Sequence, residues 1–483
     1  MEYVIKDREP ASLFRFFEEI AAIPRGSGNE EAITDYLLAF AERKGYWAKR
    51  DELLNVYIKK PGSPGCENLP PVVLQGHSDI VCEKNADTDF DFKTQGLRLK
   101  LDGDILRAEG TTLGADNGNA ISIMLAILDR DDLVHPPIEC LITSQEEIGL
   151  IGAAHIHPEY LDGRNMINLD MSGEGGILVS AAGGLLDDFI LPVTYEAPAG
   201  EALSVKVRGL RGGHSGGDID KGRMNANKVM GRILYRLGEE LDYRIGSVHG
   251  GLKTNAIPRE GDLTLLLAPG DVAKAKAIIA TVEKEAAAEH ATAEPGFHIL
   301  VEPDSATRML SADSTRAVAD LLTLMPNGAR EYSRDVPGLV VASLNLGLVE
   351  EREEGVAFCF AIRANTDTFM PYIDGELKTL ARRFGMTRDL QTQFPAWTYV
   401  QDSHLRQVAV ETYRALTGKD ATVKAVHGGL EGGVVKGRIP DMDIIATGPD
   451  AGGAHTPEEW LDIASLARTC DYVAALLRAL TEK

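Results

Sequence analysis

Two stretches near the start of the chain repeat apolar residues at helical spacing. They are ASLFRFFEEIAAI from Ala11 and EEAITDYLLAFAERKG, whose closing basic residues and Gly45 mark a helix end. The pattern then shifts to short apolar runs: PVVLQG (71–76), IECLITS (138–144) and NMINLD (165–170). AISIMLAIL, between the first two, reads as helix. Strands alternating with helices predict an α/β sheet with parallel strands, its functional site beyond their C-terminal ends.

After about Gly184 the pattern changes, and residues 185–390 read as an inserted α+β domain. LSVKVRGL, a helix from Asn225 to Glu240, TLLLAP, the helix DVAKAKAIIATVEKEAA and HILVEP come first. STRAVADLLTLM, VVASLNLG, VAFCFAIRA and GELKTLARRF follow, an order that permits two similar halves although no sequence motif repeats. Residues 391–483 return to helix and strand, so they are expected to complete the domain begun by residues 1–184.

Composition narrows the class. A length of 483 residues suits two or three domains, and 44% hydrophobic with 25% charged residues is average for a globular protein. MEYVIKDREP lacks the apolar core of a signal peptide, and the longest apolar stretches fall short of the roughly 18 to 20 residues that span a bilayer. We therefore expect a cytoplasmic protein with no membrane partner. A formal charge of −23 opposes nucleic-acid binding. Five widely spaced cysteines with no C-x-x-C pair fit free thiols in a reducing compartment and leave any metal to nitrogen and oxygen ligands.

Five segments carry candidate chemistry. In LQGHSDIV, His77 and Asp79 end a strand two residues apart, on one face. In GTTLGADNGNAISIMLAIL, Asp116 occupies a glycine-rich turn before a helix, a place equally fit for a cap. LITSQEEIGL puts Glu146 and Glu147 side by side after a strand, where they repel unless a cation or proton intervenes. INLDMSGEGG ends a strand in Asp170. In GGAHTPEEWLDIA, Thr456, Pro457 and Glu459 spell a capping box, so His455 is expected just before a helix start. Two histidines and three carboxylates, one of them bridging, suffice for two divalent ions.

HSDIVCEKN, GADNGNAISIMLAIL and SQEEIGLIGA together resemble the M20 family of dinuclear zinc peptidases, and within it the aminoacyl-histidine dipeptidase branch. The similarity runs in order through essentially the whole chain. It implies a zinc-peptidase-type catalytic domain with a central mixed, largely parallel sheet between helices, and a lid domain inserted in it. It implies that Asp116 bridges two divalent ions, zinc with manganese or cobalt as alternatives, with His77 and Asp170 completing one site and Glu147 and His455 the other. Glu146 is then the general base, Asp79 orients His77 from outside the ligand set, and the Asp116–Asn117 peptide is cis.

The same resemblance implies a dipeptide substrate with a free N-terminus, Xaa-His dipeptides such as carnosine included. In the lid, His214 of RGLRGGHSGGDI would stabilise the oxyanion, Asn255 would assist it, and Arg363 would hold the terminal carboxylate. AVHGGLEGG offers backbone at Gly429 and a carboxylate, Glu431, for the free amine, while His427 is read as structural. The long lid allows His214 to act within its own chain, with monomer and homodimer both open. Two rival readings stand beside this one: an aminoacylase or deacetylase on the same scaffold, and a metal-dependent peptide-binding protein without catalysis. Cys82, where the wider family has proline, speaks against the aminoacylase.

Overall fold

In the computed structural model, which describes residues 3–482, the apolar runs of the first part become neighbouring strands. One eight-stranded sheet runs in the order Trp47–Arg50, Val56–Lys60, Ile138–Thr143, Val72–His77, Asn165–Asn168, Asp443–Ala446, Gly176–Leu178, Thr422–Lys424. Its central strands, Ile138–Thr143, Val72–His77, Asn165–Asn168 and Asp443–Ala446, are parallel, and the strands from Trp47 and Val56 pair antiparallel. The sheet is therefore mixed with a parallel centre. Val72–His77 and Ile138–Thr143 are buried at every position, as expected of parallel strands covered on both faces.

One face, with Val72, Leu74, Ile138, Cys140 and Ile167, joins a core built with helices Ala11–Ala21, Glu31–Lys44, Ala115–Asp129, His404–Thr417 and Ile463–Ala479. Gly45 ends the second helix in the left-handed region, φ 70°. Helix Ala115–Asp129 is buried on all sides from Asn117 to Leu128, which is why its sequence is apolar without a polar stripe. Its start crosses the end of strand Val72–His77 so closely that a Cβ on Gly76 would meet Asn117 Oδ1 at 2.3 Å.

One expectation fails. Thr456, Pro457 and Glu459 do not open a helix: residues 453–459 form turns, Trp460–Asp462 is a strand, and the helix begins at Ile463. Asp462 caps it by accepting from Ser465 N. Glu459 is drawn elsewhere. Its carboxylate accepts from Leu113 N (2.7 Å), Gly114 N (2.9 Å) and Asp116 N (3.1 Å), three donors some 340 residues away along the chain.

The chain divides into two compact units: one holds the chain up to Ser180, Tyr399–Ala425 and the chain from Leu430, and the other holds Ala181–Thr398 and Val426–Gly429. The second unit has a sheet in the order His298–Asp304, Glu201–Arg208, Gly261–Leu267, Tyr243–Gly250, Val340–Arg352, Gly355–Ala364, Gly183–Leu191, Thr387–Phe394. Thr387–Phe394 spans the boundary expected at residue 390. Helices Ala226–Gly238, Val272–Glu289, Ala312–Leu324 and Phe369–Phe384 share a core with one face of this sheet, through Phe358, Phe360 and Ile362 of the strand that ends at Ala364. By alternation Arg363 stands on the opposite face. Among the described residues no helix is long and apolar enough to cross a membrane.

Candidate metal centre

Three adjacent parallel strands end at the same level, and each hands the chain to a functional segment: Ser78–Asp79, Ser144–Glu147 and Leu169–Asp170. The Asp116 turn and the His455 segment complete the gathering. Three groups of side chains bring ligand atoms within 4.8 Å of one another: His77, Asp116 and Asp170; His77, Glu146 and Glu147; and Asp116, Glu147 and His455. All five expected ligands thus lie in one cluster with Glu146.

Asp116 joins the two ends of that cluster. Its Oδ1 is 3.0 Å from His77 Nε2, which lies 4.0 Å from Asp170 Oδ1. Its Oδ2 is 3.3 Å from His455 Nε2, which in turn is 3.0 Å from Glu147 Oε1. Asp116 and Asn117 depart from helical angles inside the helix range, and the peptide between them is cis, as the resemblance implies. The Asn117 side chain then ties two strand ends, accepting from His77 N (3.1 Å) and donating to Leu169 O (3.0 Å).

Asp79 is fully buried beneath this cluster. It stands 3.3 Å from His77 Nδ1 and accepts from Ser27 Oγ (2.7 Å), Glu146 N (3.0 Å) and Glu147 N (3.2 Å). Arg25, also buried, donates to Ser78 O and Gly114 O, and Glu30 accepts from Gln145 N. Ser27, Arg25, Glu30, Asn117 and Glu459 escape sequence reasoning because each acts through a backbone or side-chain partner that only folding brings near. Of the five, Asn117, next to Asp116, and Glu459, four residues after His455, lie close in sequence to a candidate ligand.

The electrostatics are those of carboxylates crowded around two imidazoles. Burial pushes Asp170 well above the usual carboxylate range, and the charge on Asp116 adds to it. Burial likewise lifts Glu146 to about 8, with Glu431, Glu147 and Asp116 reinforcing it against His77. Asp116 goes the other way: burial opposes its charge, but His455 and His77 hold it well below the usual range. The carboxylates of Asp116 and Glu147 lift His455 to about 10. Glu147 Oε1 is buried and makes no hydrogen bond, although His455 Nε2 lies close. A buried acceptor left without a donor, among carboxylates that repel one another, fits a site built for cations. Imidazole and carboxylate donors suit zinc, manganese or cobalt alike.

In the second unit, His214 Nδ1 accepts from Gly216 N and Gly217 N, both at 3.2 Å, which leaves the ring proton on Nε2. That Nε2 faces the Arg363 guanidinium at 3.4 Å, so two donors meet with no acceptor between them. Burial, then Arg363, lowers the His214 pKa. The Asn255 side chain is not drawn into this group; its backbone carbonyl accepts from Ser215 N. Gly429 packs against Phe394, whose ring a Cβ would meet at 2.6 Å. His427 is a buried tie: its ring joins Ser343 Oγ (2.7 Å) and Asn365 Oδ1 (2.9 Å), and its carbonyl lies 2.4 Å from where a Cβ on Gly216 would sit. Glu431 belongs to the first unit. It is fully buried, with Oε2 held by Gln75 Nε2 (2.6 Å) and Thr143 Oγ1 (2.7 Å).

Comparison with known proteins agrees with this geometry. The model of peptidase family M20/M25/M40 matches residues 73–479. The chain is 35% identical over 477 residues to the cytosol non-specific dipeptidase of Escherichia coli (strain K12), with 98% of each covered. Aminoacylhistidine dipeptidase from Vibrio alginolyticus has the same structure at a TM-score of 0.93 and 34% identity, covering 98% of this chain and 97% of that one. A tripeptidase from Staphylococcus aureus shares the fold at a TM-score of 0.56 and 18% identity, with 98% of both chains covered.

Proposed function

The chain belongs to peptidase family M20/M25/M40, hydrolases acting on peptide bonds, and from that premise we propose a dipeptidase that works with two divalent cations on dipeptides bearing a free N-terminus. Xaa-His dipeptides are among its substrates, in line with the named activity of the Vibrio relative. The observation that carries this reading is the division of the Asp116 carboxylate, one oxygen toward His77 and the other toward His455. A carboxylate so placed suits a bridge between two cations. His77 and Asp170 then complete one site, and Glu147 and His455 the other.

Two divalent cations bound there supply the charge that acidifies an attacking water and polarises the scissile carbonyl. The protein's own groups do the rest. Glu146, grouped with His77 and Glu147 at the centre, takes the proton of the attacking water as a carboxylate and delivers it to the departing amine. Asp79 fixes the His77 ring through Nδ1 and, through two backbone N–H groups, fixes the turn that carries Glu146 and Glu147. For the second unit we propose a lid whose His214, assisted by Asn255, serves the oxyanion. Arg363 serves the substrate's terminal carboxylate, and Gly429 presents backbone to the substrate. The facing donors of His214 and Arg363 support a role with anionic groups.

The test is a panel of ordinary and Xaa-His dipeptides beside N-acetyl amino acids, run on chelated protein with single metals added back. Metal-dependent cleavage confined to free-amine dipeptides is expected; cleavage of the acetylated compounds instead would favour the aminoacylase. In the same assay Glu146→Ala should lower kcat by about 10²-fold or more while metal content stays near that of the wild type. Loss of metal in that variant would assign Glu146 to the wrong role.

A further inference from the structure

Three central strands, buried at nearly every position, each carry a neutral polar side chain just before the candidate centre: Gln75, Thr143 and Asn168. A buried polar side chain on such a strand is costly unless bonded, and here the bonds form a chain. Asn168 Oδ1 accepts from Asp170 N (3.1 Å), and Asn168 Nδ2 donates to Gln75 Oε1 (2.5 Å). Gln75 Nε2 and Thr143 Oγ1 then both donate to one oxygen of Glu431, Oε2. Register pairs His77 with Thr143, and Gln75 lies two residues before His77, so this row runs directly beneath the imidazole on its own face of the sheet. The row ends on Glu431 Oε1, which is buried and has no hydrogen-bond partner.

Its neighbours say what Oε1 can serve. The charged groups that act most strongly on Glu431 are His77 and Asp170, and Glu431 in turn acts on Glu146. Yet Glu431 belongs to none of the three groups whose atoms are close enough to share an ion. Among the described residues no lysine or arginine pairs with it. It is a carboxylate anchored by neutral donors, one oxygen free, just outside the candidate ligand cluster. In a dipeptide the α-amine is separated from the scissile carbonyl by a single carbon, so a carbonyl at the cluster would put its ammonium about one group's width away.

We propose that Glu431 is the specificity-determining acceptor for the substrate's α-ammonium, with Gln75, Thr143 and Asn168 as the row that holds it in place. This rests on the dipeptidase reading and deepens it, since it names the group that would distinguish a free-amine dipeptide from an acylated amino acid.

The experiment compares alanyl-histidine with propionyl-histidine, which has the same atoms except the α-amine, on metal-loaded wild type, Glu431→Gln and Thr143→Val. Glutamine can keep the bonds to Gln75 and Thr143 through its carbonyl oxygen while losing the charge. The wild-type preference in kcat/KM for the amine-bearing compound should shrink about 100-fold in E431Q, with metal content and melting temperature unchanged. T143V, which removes one of the two anchors, should show an intermediate preference. An unchanged preference in E431Q, whether both activities persist or fall together, overturns the proposal. Loss of bound metal in E431Q overturns it too, by making Glu431 a ligand. If the wild type cleaves neither compound nor any other dipeptide, the dipeptidase reading itself fails and this subsite goes with it.

Discussion

Asp79 receives bonds from Ser27 and from two backbone N–H groups of the Glu146–Glu147 turn while standing against His77, so one buried carboxylate aligns three segments. Asp79→Asn keeps the size but turns a donor toward groups that now donate to it. Metal affinity should fall about 10–100-fold, as is typical for the partners of metal-bound histidines, and titration with a metal chelator of known affinity would measure it. His427 offers a test independent of the centre. Burial, with Arg363 and His214 nearby, lowers its pKa to about 3 from an ordinary 6.5, so the folded state keeps it neutral where the unfolded chain charges it. Its contribution is therefore full above pH 6.5 and is lost as pH falls toward 3. Below about pH 6 the wild type should lose about 1.4 kcal/mol per pH unit relative to His427→Gln, read by denaturant unfolding at several pH values. No local pattern distinguishes such a histidine from a ligand. What separates His427 from His77 is the set of distant groups that each meets.

Helix Ala115–Asp129 and strand Val72–His77 are legible as elements because both are continuous apolar runs, one of helical length and one of strand length. Their crossing is not legible. It depends on Gly76, where a Cβ would lie 2.3 Å from Asn117 Oδ1 and 2.4 Å from Ala120 Cβ. Gly76→Ala should therefore push the helix start away from the strand, costing about 1–3 kcal/mol of stability and weakening metal binding at Asp116; thermal unfolding with and without metal would report both. The turn after Ala454 makes the same point from the other side. Thr456-Pro457-x-Glu459 has the local grammar of a helix start, yet three unpaired backbone donors of the Leu113–Asp116 turn claim the Glu459 carboxylate. Capping is a local preference of about 1 kcal/mol, which a cluster of charge-assisted bonds can outweigh.

At the scale of the whole molecule the candidate centre gathers Asp116, Asp170, Glu146 and Glu147 with two histidines from five distant segments, so cations should hold the first unit together as well as serve it. Chelation should lower the melting temperature, and metal at 100 times its dissociation constant should restore about 2.7 kcal/mol per site; an apo protein as stable as the loaded one would count against a bound pair of ions. The α/β class and the parallel strands were readable from the order of apolar runs, because burial on both faces leaves a signature in each strand separately. So were the chemical types available at the strand ends, because period and position alone place His77, Glu147 and Asp170 there. The tertiary structure decided everything that depends on two segments meeting: the sharing of Asp116 between His77 and His455, the hold of Asp79 and Glu459 on distant backbone, and the polar row ending at Glu431. The physical reason is that a strand or helix reports its own burial in its sequence, whereas a buried carboxylate's partner is settled only when folding has removed water as the alternative.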